Sequence, residues 1–321
     1  MNSYLFGNSP DIKSYNLGAM EAINKISSFI SDKELEKIKQ QKLQFNTKIF
    51  RESQYLQSAT ELTICSYFAN HFPHTFKYEN KVNPPKDVDC SFEYEGMQFN
   101  IEVKCADFTR SQKIRSQDGI HLDSIGRLSG YYELENKLNS VLATKDCPII
   151  LEQNMDNKLK DSLKLAHEKF SPVPKENHLN ILVVSCDTPR DLQKWVGYML
   201  GSQGLFTEHS YINPKEYNLV DYVVLSNIYH RHYNYVNKNK ISNHWEWEDA
   251  FNLAFLNPFR QLEKIEPIQF FTKIVPNFSK EYFNCKGLVD SEGKTHSEIK
   301  LLYLVEEIEK KNNIFYFQPS F

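Results

Sequence analysis

The segment "DVDCSFEYEGMQFNIEVK", residues 87–104, decides how this chain is read. Its last six residues, Phe99-Asn100-Ile101-Glu102-Val103-Lys104, are apolar and β-branched enough to form a strand. Alternate side chains of a strand share a face. Phe99, Ile101 and Val103 therefore point into a core, while Glu102 and Lys104 stand together on the other face. Glu95-Gly96 is a tight-turn signal, so "VDCSFEYE" (88–95) and "MQFNIEVKC" (97–105) are expected to form a hairpin. Asp89 and Glu102 each lie six or seven residues from that turn. This register would bring two carboxylates and an ammonium into one cluster.

Upstream, "SQYLQSATELTICSYFANHF" (53–72) has Ile64, Cys65, Phe68 and Phe72 at helical spacing. Glu61 extends that apolar stripe, where a carboxylate snorkels or pairs at the edge of a core. "TFKYEN" (75–80) adds a third strand. Residues 106–178 are mostly helical, with "SIGRLSGYYELENKLNSVL" and "MDNKLKDSLKLAHEKF" as amphipathic stretches closed by "SPVPKENH". "LNILVVSCD" (179–187) and "LVDYVVLSN" (219–227) are nearly continuous apolar runs, the mark of strands covered on both faces. Between them "PRDLQKWVGYML" forms a helix with Pro189 in its first turn. "WEWEDAFNLAFLNPFRQL" and "SEIKLLYLVEEIEKK" are expected to be helices.

Residues 12–50 are helical and polar, with a helix start at Ser31-Asp32. From Lys37 to Arg51 there are five basic residues and no acidic one. A solvated helix face is the expectation there, with a phosphate-contacting arm as the alternative. The whole is an α/β chain: a mixed sheet flanked by helices in one elaborated domain. An N-terminal helical segment (1–52) precedes a core (53–230), and a C-terminal elaboration (231–321) packs on it.

The 321 residues are 40% hydrophobic, 13% aromatic and 25% charged, with net charge −3. That balance suits a globular protein with a sizeable core and excludes a global polyanion-binding charge, so any such site is a local patch or metal-assisted. No apolar run approaches the roughly 20 residues that span a bilayer. The first residues lack the layout of a signal peptide. Six scattered cysteines without CxxC spacing fit reduced thiols and a cytoplasmic location.

Two close carboxylates repel unless something compensates them. A divalent cation with hard oxygen ligands is the natural compensator, and a neighbouring lysine can orient a water and offset developing charge. That chemistry suits phosphodiester hydrolysis. The stretch resembles the motif of the PD-(D/E)xK nuclease superfamily, with Asp89 in "KDVDC" as the aspartate and Glu102-Val103-Lys104 as the (D/E)xK element. The resemblance covers residues 53–105 and extends loosely to 179–187 and 219–227. It implies a restriction-endonuclease-like fold and a Mg²⁺ site, with Mn²⁺ as a substitute, held by Asp89, Glu102 and the Val103 carbonyl. Lys104 would serve the attacking water, and Glu61 would complete the metal site from the preceding helix. The implied activity is a DNA endonuclease of restriction or anti-phage defence type, with a homodimer as the common way to cut both strands.

Two features depart from the family pattern. No proline directly precedes Asp89, and no Gln-x-x-x-Tyr follows the strand, which disfavours an end-processing enzyme. Asp87 shares a face with Asp89 and is its rival, Asp89 being favoured by spacing to Glu102. A catalytically silent nucleic-acid- or protein-binding module and an RNA-cleaving nuclease are the alternatives.

Directly after the strand, "FTRSQKIRSQDGIHLDSIGR" (108–127) carries Arg110, Lys113, Arg115 and Arg127, candidates for gripping phosphates from a loop. "NIYHRHYNYVNKNK" (227–240) sets Tyr229, Tyr233 and Tyr235 among His230, Arg231 and His232. Packing is the expected role there, with base stacking as the alternative. Asp187 is expected to cap the helix that follows it. Phosphate-binding glycine loops, dinucleotide fingerprints and nucleophile elbows are absent from the sequence.

Overall fold

The computed structural model describes residues 2–122, 131–142, 149–152, 155–238, 240, 241, 243–285 and 300–317. Helix α1 (Pro10–Ser27) is capped by Ser9 and leads to α2 (Asp32–Lys37), which starts in the capping box formed by Ser31 and Glu34. A single π-helical turn, Ile38–Lys42, continues from α2. Next, α3 (Glu52–His71) is buried on nearly all sides, through Tyr55, Leu56, Ala59, Leu62, Ile64, Cys65 and Phe68. From Ala59 to Ala69 almost every position is buried, because α1 packs along one side of the helix and the sheet along another.

Three antiparallel strands follow, β1 (Lys77–Asn83), β2 (Lys86–Tyr94) and β3 (Met97–Cys105). The β2–β3 hairpin pairs Tyr94 with Met97 and Cys90 with Ile101. Glu95 and Gly96 at its tip both have positive φ, 48° and 75°, the signature of a two-residue turn whose twist matches that of the strands. The chain then forms α4 (Thr109–Arg115), a two-stranded parallel pair of β4 (Ile120–Leu122) and β5 (Ile149–Leu151), α5 (Tyr131–Leu142) between them, and α6 (Asp156–Lys169). Strand β6 (His178–Ser185) runs parallel to β3, in register from Gln98 with His178 to Cys105 with Ser185. After α7 (Pro189–Leu200), β7 (Tyr222–Ser226) runs parallel to β6. Helix α8 (Ile228–His232) is short, and β8 (Asn252–Leu256) closes the sheet antiparallel to β7. Helices α9 (Ile265–Ile274), α10 (Ser279–Asn284) and α11 (Lys300–Asn312) complete the chain.

The result is a mixed α/β architecture with a six-stranded mixed sheet of order β1-β2-β3-β6-β7-β8, flanked by helices. One face meets α3 and α9 through a run of stacked rings, Phe68 on Phe92 and Phe92 on Phe99, with Phe271 beside them. The opposite face is covered by α6. Strand β3 lies in the middle, and Phe99 to Val103 are all buried, as a strand covered on both faces requires.

Two elements differ from the sequence expectation. The segment 245–262 is not a helix but an irregular turn region followed by β8, and Trp245 and Trp247 are buried as ring contacts, not as a helix start. Strand β8, although it lies beyond residue 231, is an integral strand of the core sheet. The stretch 108–122 is α4 and β4 rather than a loop. The five described cysteines, Cys65, Cys90, Cys105, Cys186 and Cys285, are free thiols. Among the described residues, no helix is long and apolar enough to cross a membrane.

Candidate functional site

One residue past the paired Cys90 and Ile101, the hairpin register sets Asp89 across from Glu102. Here the ladder gives way to a side chain: Asp89 Oδ2 accepts a hydrogen bond from the Val103 amide at 2.6 Å. The N–H and C=O of a paired strand residue face the same neighbour, so the Val103 carbonyl also faces the β2 side. Two carboxylates and one carbonyl thus meet where β2 and β3 part.

Glu102 has no accessible surface. Its Oε1 lies 2.5 Å from Lys104 Nζ and 2.8 Å from Lys169 Nζ, and its Oε2 accepts from Lys169 at 2.9 Å. Lys104 is there because strand alternation puts it beside Glu102. Lys169 comes from the last residue of α6. Although two ammoniums neutralise it, Glu102 Oε1 accepts no well-aligned hydrogen bond from either. Glu102 is thus a buried carboxylate held by ion pairs to two ammoniums from separate elements.

Electrostatics agree with that crowding. Burial first, then the charges of Glu102 and Glu61, push the Asp89 carboxyl well above the usual carboxylate range, while Lys169 and the Val103 N–H act to lower it. Burial alone would lower the Lys169 ammonium, but Asp89 and Glu102 outweigh it and hold the pKa up. Asp87, the rival aspartate, acts on Lys169 as a further, weaker charge, whereas the bond to Val103 belongs to Asp89.

Glu61 is placed elsewhere. Its Oε1 accepts from Lys42 Nζ at 2.7 Å and from Tyr78 OH at 2.8 Å, and Lys42 also reaches Glu79 at 2.9 Å. The physical reason is alternation: α3 lies against the Phe92 and Phe99 face of the sheet, and Glu102 projects from the other. Glu61 acts on Asp89 through its charge, while its hydrogen bonds go to Lys42 and Tyr78. Among the described residues, no group of three His, Cys, Asp or Glu side chains gathers to hold a metal. The hard oxygens nearest one another along the β2–β3 register are those of Asp89, Glu102 and the Val103 carbonyl. That set of hard oxygens fits Mg²⁺, which keeps several waters and takes few protein ligands.

The four candidate phosphate grips separate. Arg110 and Lys113 are exposed on α4, immediately after β3. Arg115 is not a surface cation: it pairs with Asp191 at 2.6 and 2.8 Å and with Asp187 at 3.2 Å. Arg127 lies outside the described residues. Asp187 is therefore an ion-pair partner, and the cap of α7 is Thr188, whose hydroxyl accepts from the Asp191 amide. His232 is buried between the Tyr15 hydroxyl at 2.7 Å and Thr63 at 2.9 Å. Arg231 donates to the carbonyls of Asp249 and Asn243. Tyr229, His230, Arg231, His232 and Tyr235 are buried packing residues, as expected.

Lys169 is the site residue that sequence reasoning missed. A signal existed. Leu159, Leu163, Ala166 and Phe170 form the buried stripe of α6, and Lys169 borders it, the same marginal position that singled out Glu61.

Comparison with protein-family models, with curated proteins and with solved structures returns no match.

Proposed function

We propose that this protein is a Mg²⁺-dependent phosphodiesterase of the restriction-endonuclease-like class, acting on DNA as an endonuclease. One observation carries the reading: the β2–β3 register, continued one residue past Cys90 and Ile101, sets Asp89 beside Glu102, with Lys104 2.5 Å from Glu102. The element order supports it as well, with α3 before a three-stranded meander, the Glu-x-Lys element on its last strand, and β6 parallel to that strand. A role in restriction or anti-phage defence, with two copies acting together on a duplex, follows by analogy with the class.

Asp89, Glu102 and the Val103 carbonyl would hold the ion. When bound, Mg²⁺ supplies positive charge to the phosphoryl oxygens and a more acidic water. The Val103 amide holds one oxygen of Asp89, and the other would bind the ion. Lys104, partly open to solvent at 26% of its side-chain surface, would hold the attacking water and offset charge that grows on the phosphate. Arg110 and Lys113 on the adjoining helix offer backbone contacts that position the strand without reading its sequence.

The test is incubation of the purified protein with supercoiled plasmid, linear DNA and RNA, in Mg²⁺ or in EDTA. Mg²⁺-dependent nicking of the plasmid is expected, falling by about 10²–10³-fold in Lys104→Ala, the usual loss when one preorganised charge-stabilising group is removed. Cleavage of RNA alone would overturn the substrate assignment. Intact substrates in every metal would point to a silent binding module.

A further inference from the structure

We infer that Lys169 is a second working amine of this site: it neutralises Glu102 while no cation is bound and contacts the substrate phosphate once a cation has taken Glu102. The inference rests on the nuclease reading above. Its starting point is an excess: one buried carboxylate receives two ammoniums, Lys104 at 2.5 Å and Lys169 at 2.8 and 2.9 Å. One would neutralise it.

Charge balance gives the excess a purpose. The cation-free site sets two amines, Lys104 and Lys169, on Glu102, with the Asp89 carboxyl beside them. A divalent ion on the two carboxylates leaves both ammoniums uncompensated. The net +2 that results matches the two negative charges of a phosphodiester at the point of attack, where positive groups aimed at developing charge are most effective.

The anchoring is also specific. The end of α6 is held on the β1–β2 turn, by Lys86 to Glu168 at 2.6 Å and by Asn83 to the Glu168 carbonyl at 3.0 Å. The backbone of Lys169 is therefore fixed, while its four-carbon stem retains 23% exposure. A lysine is a compact charge on a flexible stem, suited to change partners without moving the helix. A lysine serving only to stabilise the fold would keep Glu102 as its partner in every state.

The two roles separate by salt dependence. Binding of a short DNA duplex is measured by anisotropy across a salt series, in Ca²⁺, which supports binding without turnover, and in EDTA. Wild type is compared with Lys169→Met and Lys169→Arg, each checked for folding by circular dichroism. Each phosphate contact contributes about 0.7–0.9 to the slope of log affinity against log salt. In Ca²⁺ the slope is expected to fall by about that amount in Lys169→Met and to be retained in Lys169→Arg. In EDTA all three slopes should agree. Calcium titrated without DNA should bind Lys169→Met more tightly than wild type, because a competing charge is gone. An unchanged slope in Lys169→Met, with wild type still cutting plasmid in Mg²⁺, overturns this inference and leaves the nuclease reading standing. A wild type that neither cuts nor binds DNA in a Ca²⁺-dependent way overturns both.

Discussion

Arg115 shows how neighbours assign a side chain its work. In the sequence it is one of four cations after a strand, equivalent to Arg110 and Lys113. In the fold its guanidinium grips Asp191 in a two-pronged pair and reaches Asp187 and Glu152, which joins α4 to α7 and to the end of β5. Burial and the charge of Asp191 already push the Asp187 carboxyl up, and Arg115 acts to lower it. Removing the arginine leaves buried carboxylates without compensation. Arg115→Ala is expected to cost roughly 2–4 kcal/mol, seen as a lower denaturant midpoint at unchanged slope. Arg110→Ala and Lys113→Ala should stay within about 0.5 kcal/mol of wild type while weakening nucleic-acid binding. This difference was not legible in the sequence, because the partners of Arg115 lie on distant elements. Asp89, Glu102 and Lys104 were legible because strand periodicity and one turn dipeptide place all three. The partners of Glu61, Lys42 and Tyr78, were not legible, because helical spacing does not say which face of the sheet the helix covers.

The β2–β3 hairpin is the element on which the site depends, and its register hangs on the turn. Gly96 sits at φ +75° with open space where a Cβ would go, so the backbone conformation and not a clash opposes a side chain. Gly96→Ala is expected to destabilise by about 1 kcal/mol, measured by thermal or denaturant unfolding, with plasmid cleavage retained because the register is unaltered. A loss of cleavage greater than the loss of folded protein would show that the turn reaches the chemistry. This hairpin was readable because Glu95-Gly96 is local information. Strand β8 was not readable, since the apolar positions of 245–262 also fit helical spacing. Its state is decided by pairing with β7 and by Asn252, which accepts from the Trp247 indole at 3.1 Å and donates to the Pro276 carbonyl. Tertiary pairing overrode a local pattern, and α4, at seven residues, is too short for periodicity to reveal.

At the scale of the molecule, the parallel strands β3, β6 and β7 place the carboxylate pair toward the C-terminal part of β3, where mixed sheets gather ligands. Away from that site, the packing between α1, α3 and the 227–250 region buries His230 and His232 and half-buries His244. Burial is the largest cause in each, helped by Arg231 and Lys238. It lowers His244 to about 4 and the other two well below the usual imidazole range. The unfolded chain protonates these rings near pH 6.5, the folded one only near 4 or lower, so the unfolded state binds more protons across that window. Stability must then fall as pH falls from about 6.5 toward 4. At about 1.4 kcal/mol per pKa unit, His244 alone would contribute roughly 3 kcal/mol of that loss. His244→Gln should flatten the profile of unfolding free energy against pH, and a variant profile parallel to wild type would remove His244 from the explanation.

Whether the carboxylate pair takes a divalent ion is decided without substrate by calorimetric titration of Mn²⁺ or Ca²⁺ into the protein. Wild type is expected to give a saturable binding isotherm that the folded double variant Asp89→Asn, Glu102→Gln abolishes. Equal isotherms for the two proteins, or no binding by wild type, would contradict a metal site at this pair.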